Sequence, residues 1–387
     1  MSWTLFELRA GPSGVRSTDI PRQTQWREAH RKLADKSTPT DEHFDVVVVG
    51  AGQAGLAVGY HLAKRGVRFL ILDAGSRVGD SWRHRWDSLL LFTPARVDGL
   101  PGMPFPSSAR LLPTKDAMAD YLEAYAERFK IPVRSSAVVD GLDRDDGSYL
   151  LTAGGLQIRS DQVVVTTGAN QVPRVPAFAD ELDPGIVQLS AAQYRNPSDL
   201  KEGDVLVVGA GNSGAEVALE AAKSHRTWLS GRSTGRVSPA VFSRPFWWLA
   251  MNLMTRNTPI GRKIISAAAG RGAPLLRITP DEIAAAGIER VARIAGVEGG
   301  MPSAVDGRVL PVANVVWCTG FRQDFGWIHL PVFDDQGYPL HVRGVVSDPG
   351  AGLYFAGLPF LYGFTSALVG GVGRDAEYVV DHVMKRA

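Results

Sequence analysis

Short, unbroken runs of apolar residues recur along the chain, and the clearest of them end at a glycine. Residues 46–49 precede Gly50, and residues 205–208 precede Gly209. A continuous apolar run of this length predicts a strand buried on both faces, as strands of parallel sheets are. An Ala- and Leu-rich stretch follows each run and predicts a helix packed back on the strand. The pattern therefore predicts two βα units, one opening near residue 44 and the other near residue 205.

Other patterns predict the remaining elements. Apolar and aromatic residues recur at helical spacing over 115–129 and predict a helix there. The runs VVWCTGF and LYFAG predict two further buried strands, which turn at Gly320 and Gly357. The chain ends in a predicted helix from about residue 370 to 386, whereas residues 237–307 show no clear pattern.

Both apolar runs lead into the same glycine spacing. The first reads DVVVVGAGQAG, and the second reads DVLVVGAGNSG. In a strand–turn–helix unit the first glycine permits the turn, the second admits a pyrophosphate close to the backbone, and the third lets helix and strand pack. The free N–H groups of the helix N-terminus then hold the phosphates. Two such motifs predict two dinucleotide sites.

The residue after the second strand of each unit distinguishes the two sites. Asp73 stands eighteen residues after Gly55, and Arg232 stands eighteen residues after Gly214. An acid at this offset accepts hydrogen bonds from ribose hydroxyls, whereas an arginine accommodates a 2′-phosphate. The first site is therefore predicted to take FAD or NAD, and the second NADP, with Ser230 and Arg232 as phosphate contacts. The alternative is that Asp73 and Arg232 are ordinary surface turn residues.

The order of these motifs predicts an α/β fold with two Rossmann-type domains in three-layer ββα and αβα arrangements. A strand followed by Thr-Gly occurs at both 163–168 and 315–320, which suggests that the chain crosses between domains twice. We predict a discontinuous first domain (44–175 and 313–387), an inserted second domain (176–312) and an N-terminal arm (1–43).

Composition excludes several classes of function. The 42 Lys and Arg nearly balance the 40 Asp and Glu, and no basic block of the nucleic-acid-binding type stands out. The single cysteine, Cys318, permits neither a disulfide within the chain nor a CxxC pair, which excludes the disulfide reductases that share this layout. The eight histidines show no metal-ligand spacing, so no metal site is predicted.

The N-terminus has no basic, apolar signal-peptide pattern, and we predict a cytoplasmic protein. The most hydrophobic run, residues 246–255, is too short to span a bilayer, which takes about 20 residues. It is predicted to form a buried helix at the domain interface, with a membrane-surface contact as the alternative. A homo-oligomer is compatible with the sequence, which leaves the oligomeric state open.

Taken together, the motifs resemble the flavin-containing monooxygenases, in particular their bacterial and plant YUCCA-type branch. The resemblance covers residues 44–387 and rests on GAGQAG, GDSWRHRWDSLLLFTP, TTGAN, GAGNSG, VVWCTGF and GLPFLYGFTSALVGGVGRDA. It implies FAD in the first site and NADPH in the second.

The resemblance also implies roles for individual residues. Those implied to hold or adjoin FAD are Gly50, Gly52, Gln53, Ala54, Gly55, Asp73, Ser81, Trp82, Phe92, Thr93, Gly168 and Gly357. Those implied to hold NADPH are Gly209, Gly211, Asn212, Ser213, Gly214, Ser230, Arg232, Thr319 and Gly320. Asn170 and Asn212 are the candidates to position nicotinamide or the activated oxygen, with bracing of turns as the alternative. Trp82 and Trp86 are alternatively core aromatics, and this is the favoured interpretation for Trp86.

One position departs from the family pattern. The family has a fingerprint of the type FxGxxxHxxxY before its second glycine motif. Here Tyr194 matches, but Ser190 stands at the histidine position and Gly185 is one residue early. If that histidine couples cofactor binding to domain motion, this chain is expected to leak hydrogen peroxide.

The function implied is that of an NADPH-dependent flavoprotein monooxygenase. A hydride passes to FAD, dioxygen is activated as a C4a-(hydro)peroxyflavin, and one oxygen passes to the nitrogen, sulfur or carbonyl carbon of a small organic substrate. The cofactor carries the chemistry, so no side-chain nucleophile is expected. One alternative is an NAD(P)H oxidase or electron-transfer reductase, and another is a redox-sensing flavoprotein without turnover.

Overall fold

The computed structural model describes residues 42–108, 110–232, 235–268, 274–347 and 350–386. Nearly all of the predicted N-terminal arm lies outside these residues. Two sheets, one mainly parallel and the other wholly parallel, form the centres of two units that share the chain. The α/β class and the Rossmann-type organisation predicted from the sequence are confirmed.

The first unit is built on a seven-stranded sheet in the order β3-β2-β1-β6-β5-β4, with β16 also paired to β6. Its parallel strands pair through β1 at the centre, and β4 and β5 extend the sheet as an antiparallel meander. The strands are β1 (Glu42–Val49), β2 (Phe69–Leu72), β3 (Val133–Arg134), β4 (Val139–Asp145), β5 (Ser148–Ala153), β6 (Leu156–Val165) and β16 (Leu353–Phe355).

Helices cover one face of this sheet. They are α1 (Gln53–Lys64), the short α2 (Asp80–Arg83), α3 (Lys115–Arg128) and α8 (Val369–Arg386). Val46 and Val48 face these helices, whereas Val47 and Val49 face a second apolar layer on the opposite side of the sheet. All four valines are buried, which explains why the strand is apolar at every position rather than at alternate ones.

The second unit is built on a five-stranded parallel sheet in the order β11-β10-β9-β14-β8. Its strands are β8 (Val187–Ser190), β9 (Val205–Val208), β10 (Thr227–Ser230), β11 (Glu289–Val291) and β14 (Asn314–Trp317). Helices α4 (Asn212–Ala221) and α7 (Pro280–Ala285) contribute to the core on one face. The hairpin of β12 (Ile294–Glu298) and β13 (Met301–Ala304) contributes to the other, where the predicted αβα arrangement places helices.

The chain passes between the units twice, and the two passages pair with each other. Strands β7 (Val172–Pro173) and β15 (Phe321–Arg322) form a two-stranded antiparallel link. The predicted boundary at residue 313 is misplaced, because β14 pairs with β8 and β9 in the second sheet. The second unit therefore extends through Trp317, and the return to the first unit follows it.

One segment of the second unit, residues 244–268, contacts the first unit. Helices α5 (Arg244–Asn252) and α6 (Pro259–Ala268) flank a turn that contacts the 360–364 loop. The Arg256 amide donates to the Tyr362 carbonyl at 2.8 Å, and the Phe364 amide donates to the Met254 carbonyl at 2.9 Å. Helix α5 buries Trp247 and Ala250 but leaves Trp248 exposed. The predicted burial of this helix is therefore confirmed for one of its sides only.

Candidate functional site

The first glycine turn contains two glycines that the protein itself requires and one that it does not. Gly50 has φ +107°, and a Cβ there would lie 2.9 Å from the Thr166 carbonyl oxygen. A Cβ on Gly55 would lie 1.8 Å from the Gly50 carbonyl oxygen. Gly52, in contrast, has φ −73° and nothing within 4 Å of a Cβ position. The absence of a side chain at Gly52 therefore leaves open space at the N-terminus of α1.

The second turn repeats this arrangement. A Cβ on Gly209 would lie 2.3 Å from the Cys318 carbonyl oxygen, and one on Gly214 would lie 1.7 Å from the Gly209 carbonyl oxygen. Gly211 has φ −78° and nothing within 4 Å of a Cβ position. Both turns thus offer an open cradle before a helix N-terminus, which is where a pyrophosphate binds in such units. The residues present fit two dinucleotides.

Asp73 lies beside the first cradle, where the sequence predicts it. Its Oδ2 accepts a hydrogen bond of 2.6 Å from the Ala51 amide, within the glycine turn, and its Oδ1 accepts one of 2.8 Å from the Gly75 amide. A carboxylate has about four acceptor sites, so these two bonds leave capacity for a ribose hydroxyl. Asp73 orders the turn and presents acceptors beside it.

The two residues predicted to contact a 2′-phosphate differ in accessibility. Ser230 is fully buried, and its hydroxyl donates to the Ala292 carbonyl at 2.8 Å and accepts from the Ile294 amide at 3.1 Å. This geometry contradicts the contact predicted for Ser230, because the hydroxyl is occupied inside the sheet. Arg232 is exposed. It follows Gly231, whose Cβ position lies 3.0 Å from the Ala210 amide of the glycine turn, so Arg232 emerges beside the second cradle.

The aromatic and basic segment after β2 has a role that the sequence did not reveal. Ser81 is exposed, and the Trp82 indole N–H donates to Gln53 Oε1 at 3.4 Å, which ties α2 to the first cradle. Trp86 is 3 % exposed and lies in the core, as favoured from the sequence. Beyond it, the Asp87 amide donates to the Arg195 carbonyl at 2.8 Å, and Asn196 Nδ2 donates to Asp87 Oδ2 at 2.7 Å. Residues 81–88 therefore link the first unit to the second.

A buried carboxyl that sequence reasoning missed lies beside the LFTP motif. The Thr93 hydroxyl donates to Asp98 Oδ1, and Asp98 is fully buried. Asp98 Oδ2 has no hydrogen-bond partner among the described residues. Burial raises the pKa of Asp98 to about 7, against the effect of the Thr93 hydrogen bond. Phe92, the other residue implied to adjoin the flavin in this motif, is half-buried.

The two Thr-Gly turns lie at the ends of β6 and β14. The Thr166 hydroxyl donates to the carbonyl oxygens of Val49 and Gly50 at 2.8 and 2.7 Å, so it fixes the first glycine turn. Gly168 (φ +74°) follows it and faces open space. In the second turn the Thr319 hydroxyl donates to the Arg174 carbonyl, and Gly320 has φ +90°. Thr319 therefore braces the link between the units.

The two asparagines differ in their surroundings. Asn212 Nδ2 donates to the Pro274 carbonyl at 3.0 Å, and its Oδ1 accepts from the Leu276 amide at 2.9 Å. Its amide thus braces the 274–276 loop, which is the alternative role foreseen from the sequence. Asn170 is exposed at the end of the first Thr-Gly turn, and its suggested role stays a prediction. Ser213, next to Asn212, is half-buried at the start of α4.

The turn at Gly357 approaches the first cradle from the end of β16. Gly357 has φ +78°, and a Cβ there would lie 2.6 Å from the Ala54 Cβ on the first turn of α1. A left-handed backbone and this close approach both favour glycine. Gly357 therefore lies against the helix terminus that forms the cradle.

A cavity of about 610 Å³ lies between residues of the two units. Its described lining includes three arginines, Arg96, Arg110 and Arg244, together with Phe242 and Ser243, and none of these lining residues is acidic. Arg96 Nη2 donates to the Phe242 carbonyl, which joins the LFTP segment to the start of α5. Three cations around one cavity favour an organic anion. The scattered positions of these arginines in the sequence gave no signal of the cavity.

The single cysteine is not placed for thiol chemistry. The Cys318 Cβ lies 3.3 Å from the position of a Cβ on Gly214, between β14 and α4. Burial raises the pKa of the Cys318 thiol to about 12, so it is protonated at neutral pH. Among the described residues no group of three or more His, Cys, Asp or Glu side chains forms a metal site. No helix in the described ranges is long and apolar enough to cross a membrane.

Comparisons with known proteins agree with this architecture. Residues 47–241, half of the chain, match the family described as pyridine nucleotide-disulphide oxidoreductase. An uncharacterized CzcO-like oxidoreductase of Geobacillus kaustophilus (strain HTA426) is 39% identical over 343 residues, which are 88% of this chain and 98% of that protein. Indole-3-pyruvate monooxygenase YUCCA4 of Oryza sativa subsp. japonica is 29% identical, over 95% of this chain and 97% of the relative.

Among solved structures, a flavin-containing monooxygenase from Stenotrophomonas maltophilia superimposes with a TM-score of 0.75 at 25% identity. The match covers 89% of this chain and 99% of that protein. The fold described above therefore agrees with that of this solved structure. The chain belongs to the pyridine nucleotide-disulphide oxidoreductase family, in its flavin-containing-monooxygenase-like branch.

Proposed function

We propose that the protein is an FAD- and NADPH-dependent monooxygenase that inserts one oxygen atom of dioxygen into a small organic substrate. One observation carries the proposal. Gly52 and Gly211 both face open space before a helix N-terminus, and one cradle adjoins an acid whereas the other adjoins an arginine. This difference supports a free ribose in the first site and a 2′-phosphate in the second.

The residues of the chain bind and orient in this proposal. Gly52 and Gly211 admit the two pyrophosphates, Asp73 accepts from a ribose hydroxyl, and Arg232 binds the 2′-phosphate of NADPH. When bound, FAD supplies the redox chemistry, which is acceptance of a hydride and activation of dioxygen. Asp98 is a carboxyl that can hold a proton near neutral pH. It stands four residues beyond the LFTP motif, which the resemblance places by the flavin.

The cavity between the units narrows the proposed substrate class. Its three arginines and Phe242 suit a small organic acid with an apolar body. The rice relative is an indole-3-pyruvate monooxygenase, and indole-3-pyruvate is such an acid. We therefore propose that the oxygen acceptor belongs to a carbonyl, sulfur or nitrogen compound that also carries a carboxylate.

Isotope labelling tests this proposal. The FAD-loaded protein is given NADPH under ¹⁸O₂ with a panel of 2-oxo acids, thioether acids and amino acids, each beside its neutral amide. The proposal expects ¹⁸O in a product and NADPH consumption that tracks the product formed. Stoichiometric hydrogen peroxide with every compound, and no label in any product, would contradict it.

A second function is favoured by one observation. Ser190, at the position of the family histidine, is buried, and its hydroxyl donates to Gln193 Oε1 at 2.8 Å. Its side chain is thus held within its own turn, where it cannot serve as the ionisable group of the fingerprint. An NAD(P)H oxidase or electron-transfer reductase requires no such group, and hydrogen peroxide formed in place of labelled product would identify the oxidase.

A further inference from the structure

The charge of the chain is unevenly distributed. Residues 221–280 contain ten Lys and Arg residues and no Asp or Glu, although the net charge of the whole chain is only +2. The remainder of the chain is therefore net negative. A stretch of this sign and length generates a positive potential that attracts anionic surfaces. Two of the ten charges are paired within the protein, because Arg226 lies beside Asp204 and Glu289 and Arg277 beside Glu216, and the phosphate contact proposed for Arg232 accounts for a third.

Helix α5 lies within this basic stretch and has an apolar outer face. Positions 245, 248, 249, 252 and 253 recur at helical spacing and are all exposed, and all but Asn252 are apolar. Trp248 is 64 % exposed, and Leu249 and Leu253 are each 36 % exposed. The opposite face buries Trp247 and Ala250 against the protein. The helix is thus apolar on both sides, and only one side is covered by the described residues.

The start of α6 continues this surface. Ile260 is 61 % exposed, and Arg262 and Lys263 beside it are exposed too. The connection from α5 is tight, because the Thr258 hydroxyl donates to the Leu253 carbonyl and the Gly261 Cβ position lies 2.0 Å from the Thr255 carbonyl oxygen. We call residues 244–263 the α5–α6 corner. It combines exposed Trp, Leu and Ile side chains with Arg244, Arg256, Arg262 and Lys263.

This combination fits one kind of partner. Exposed Trp and Leu side chains among basic residues suit a helix that lies in the headgroup region of a bilayer with anionic lipids. A nucleic acid makes no use of exposed leucines, and two copies of the same basic corner repel each other. We propose that the α5–α6 corner docks the protein on an anionic lipid bilayer, with the axis of α5 parallel to the surface.

Docking through α5 would also position the arginine-rich cavity relative to the bilayer. Ser243 and Arg244, at the start of α5, line the arginine-rich cavity between the units. A docked α5 therefore holds that cavity close to the lipid headgroups. The proposal does not depend on the chemistry of the enzyme, and its test reads binding alone.

Vesicle sedimentation tests the proposal on the FAD-loaded, full-length protein. Vesicles contain phosphatidylcholine alone or with about a third phosphatidylglycerol. The expected partitioning is at least about ten-fold stronger to the anionic vesicles, and it falls at high salt. Brominated lipids should quench part of the tryptophan fluorescence, and Trp248→Phe should abolish that part.

Matched variants separate the corner from general surface effects. The triple change Trp248→Ser, Leu249→Ser and Leu253→Ser should lower partitioning by about ten-fold or more, because it removes three large apolar side chains from the interface. Leu340→Ser with Val342→Ser removes exposed apolar side chains elsewhere and should leave partitioning unchanged. Arg262→Gln with Lys263→Gln should weaken binding to anionic vesicles only, whereas Lys64→Gln with Lys385→Gln should not.

Three results would overturn the proposal. The first is equal partitioning of the triple variant and the parent protein. The second is no sedimentation with either type of vesicle. The third is a concentration-dependent dimer that the triple variant converts to a monomer, which would make the corner a self-association surface.

Discussion

At the scale of single residues, Asp73 and Arg232 occupy corresponding places after the second strands of the two units. Each lies beside its own glycine turn. Asp73 accepts a hydrogen bond from the Ala51 amide, and Arg232 follows Gly231, which lies close to Ala210. Their opposite charges are the strongest indication that the two sites bind different nucleotides. The phosphate contact predicted for Ser230 from the same position in the sequence is wrong, because its hydroxyl is buried between Ala292 and Ile294.

Arg232→Gln should remove the preference for NADPH over NADH. A charged hydrogen-bond partner contributes about 1.5–3 kcal/mol, so KM for NADPH should rise roughly ten- to a hundred-fold. KM for NADH should change less than about two-fold, since NADH has no 2′-phosphate. Arg128→Gln, an exposed arginine on α3, serves as the control for loss of surface charge. Equal changes for both cofactors would place the 2′-phosphate elsewhere.

Asp98 should make stability depend on pH. Its pKa is about 7 in the folded protein, against an ordinary value of 3.8. Between these values the folded state holds a proton that the unfolded state releases, so stability falls as the pH rises from about 4 to about 7. Asp98→Asn keeps an acceptor for Thr93 but has no proton to lose.

Urea unfolding of Asp98→Asn and the parent protein at several pH values checks this. The two should unfold alike near pH 4, and the variant should be the more stable by on the order of a few kcal/mol above pH 7. Asp140→Asn changes an exposed acid and should reproduce the pH profile of the parent protein. A parent profile that is flat over this range would show that Asp98 ionises normally.

At the scale of elements, the two glycine turns combine structural and ligand-binding demands. Gly50, Gly55, Gly209 and Gly214 are fixed by contacts within the protein, and these are the contacts that shape the turns. The second glycines, Gly52 and Gly211, have ordinary backbone angles and free space around them. We therefore expect a side chain at Gly52 or Gly211 to matter only when a nucleotide binds.

Alanine at these positions should separate folding from binding. Gly52→Ala should weaken FAD binding and Gly211→Ala should weaken NADPH binding, each by about ten-fold or more. Neither should change the free energy of unfolding of the apoprotein by more than about 0.5 kcal/mol. Gly55→Ala should destabilise the apoprotein by about 1–3 kcal/mol, because its Cβ overlaps the Gly50 carbonyl oxygen. Thermal melting and flavin titration of the three variants measure both effects, and loss of apoprotein stability in Gly52→Ala would contradict this account.

At the scale of the whole molecule, the sequence predicted both units because their signals are local. The valine runs, glycine spacings and following helices all lie within about 30 residues of one another. The features that the sequence did not predict depend on contacts between residues far apart in the chain. The sheet that contains β14 is set by pairing with β8 and β9, and the bridging role of Asp87 by Arg195 and Asn196 more than 100 residues away.

The same reason explains why the sequence did not predict the role of Asp98, the arginine-lined cavity or the exposed face of α5. Asp98 is one acid among many in the sequence, and only the fold shows that it is buried. The three arginines of the cavity come from separate segments of the chain, and the exposed face of α5 is as apolar in sequence as its buried face. Local patterns therefore predicted where nucleotides bind, and tertiary structure was needed to find the remaining groups.

The most direct test of the account follows the flavin through reduction and reoxidation. The FAD-loaded protein is reduced by NADPH without oxygen and then mixed with oxygenated buffer, while flavin absorbance and hydrogen peroxide are recorded. A monooxygenase should be reduced faster by NADPH than by NADH, and its oxidised-flavin spectrum should return after a delay, with peroxide appearing only as that spectrum returns. Immediate recovery of oxidised flavin, with one hydrogen peroxide for each NADPH, would contradict the account and favour the oxidase.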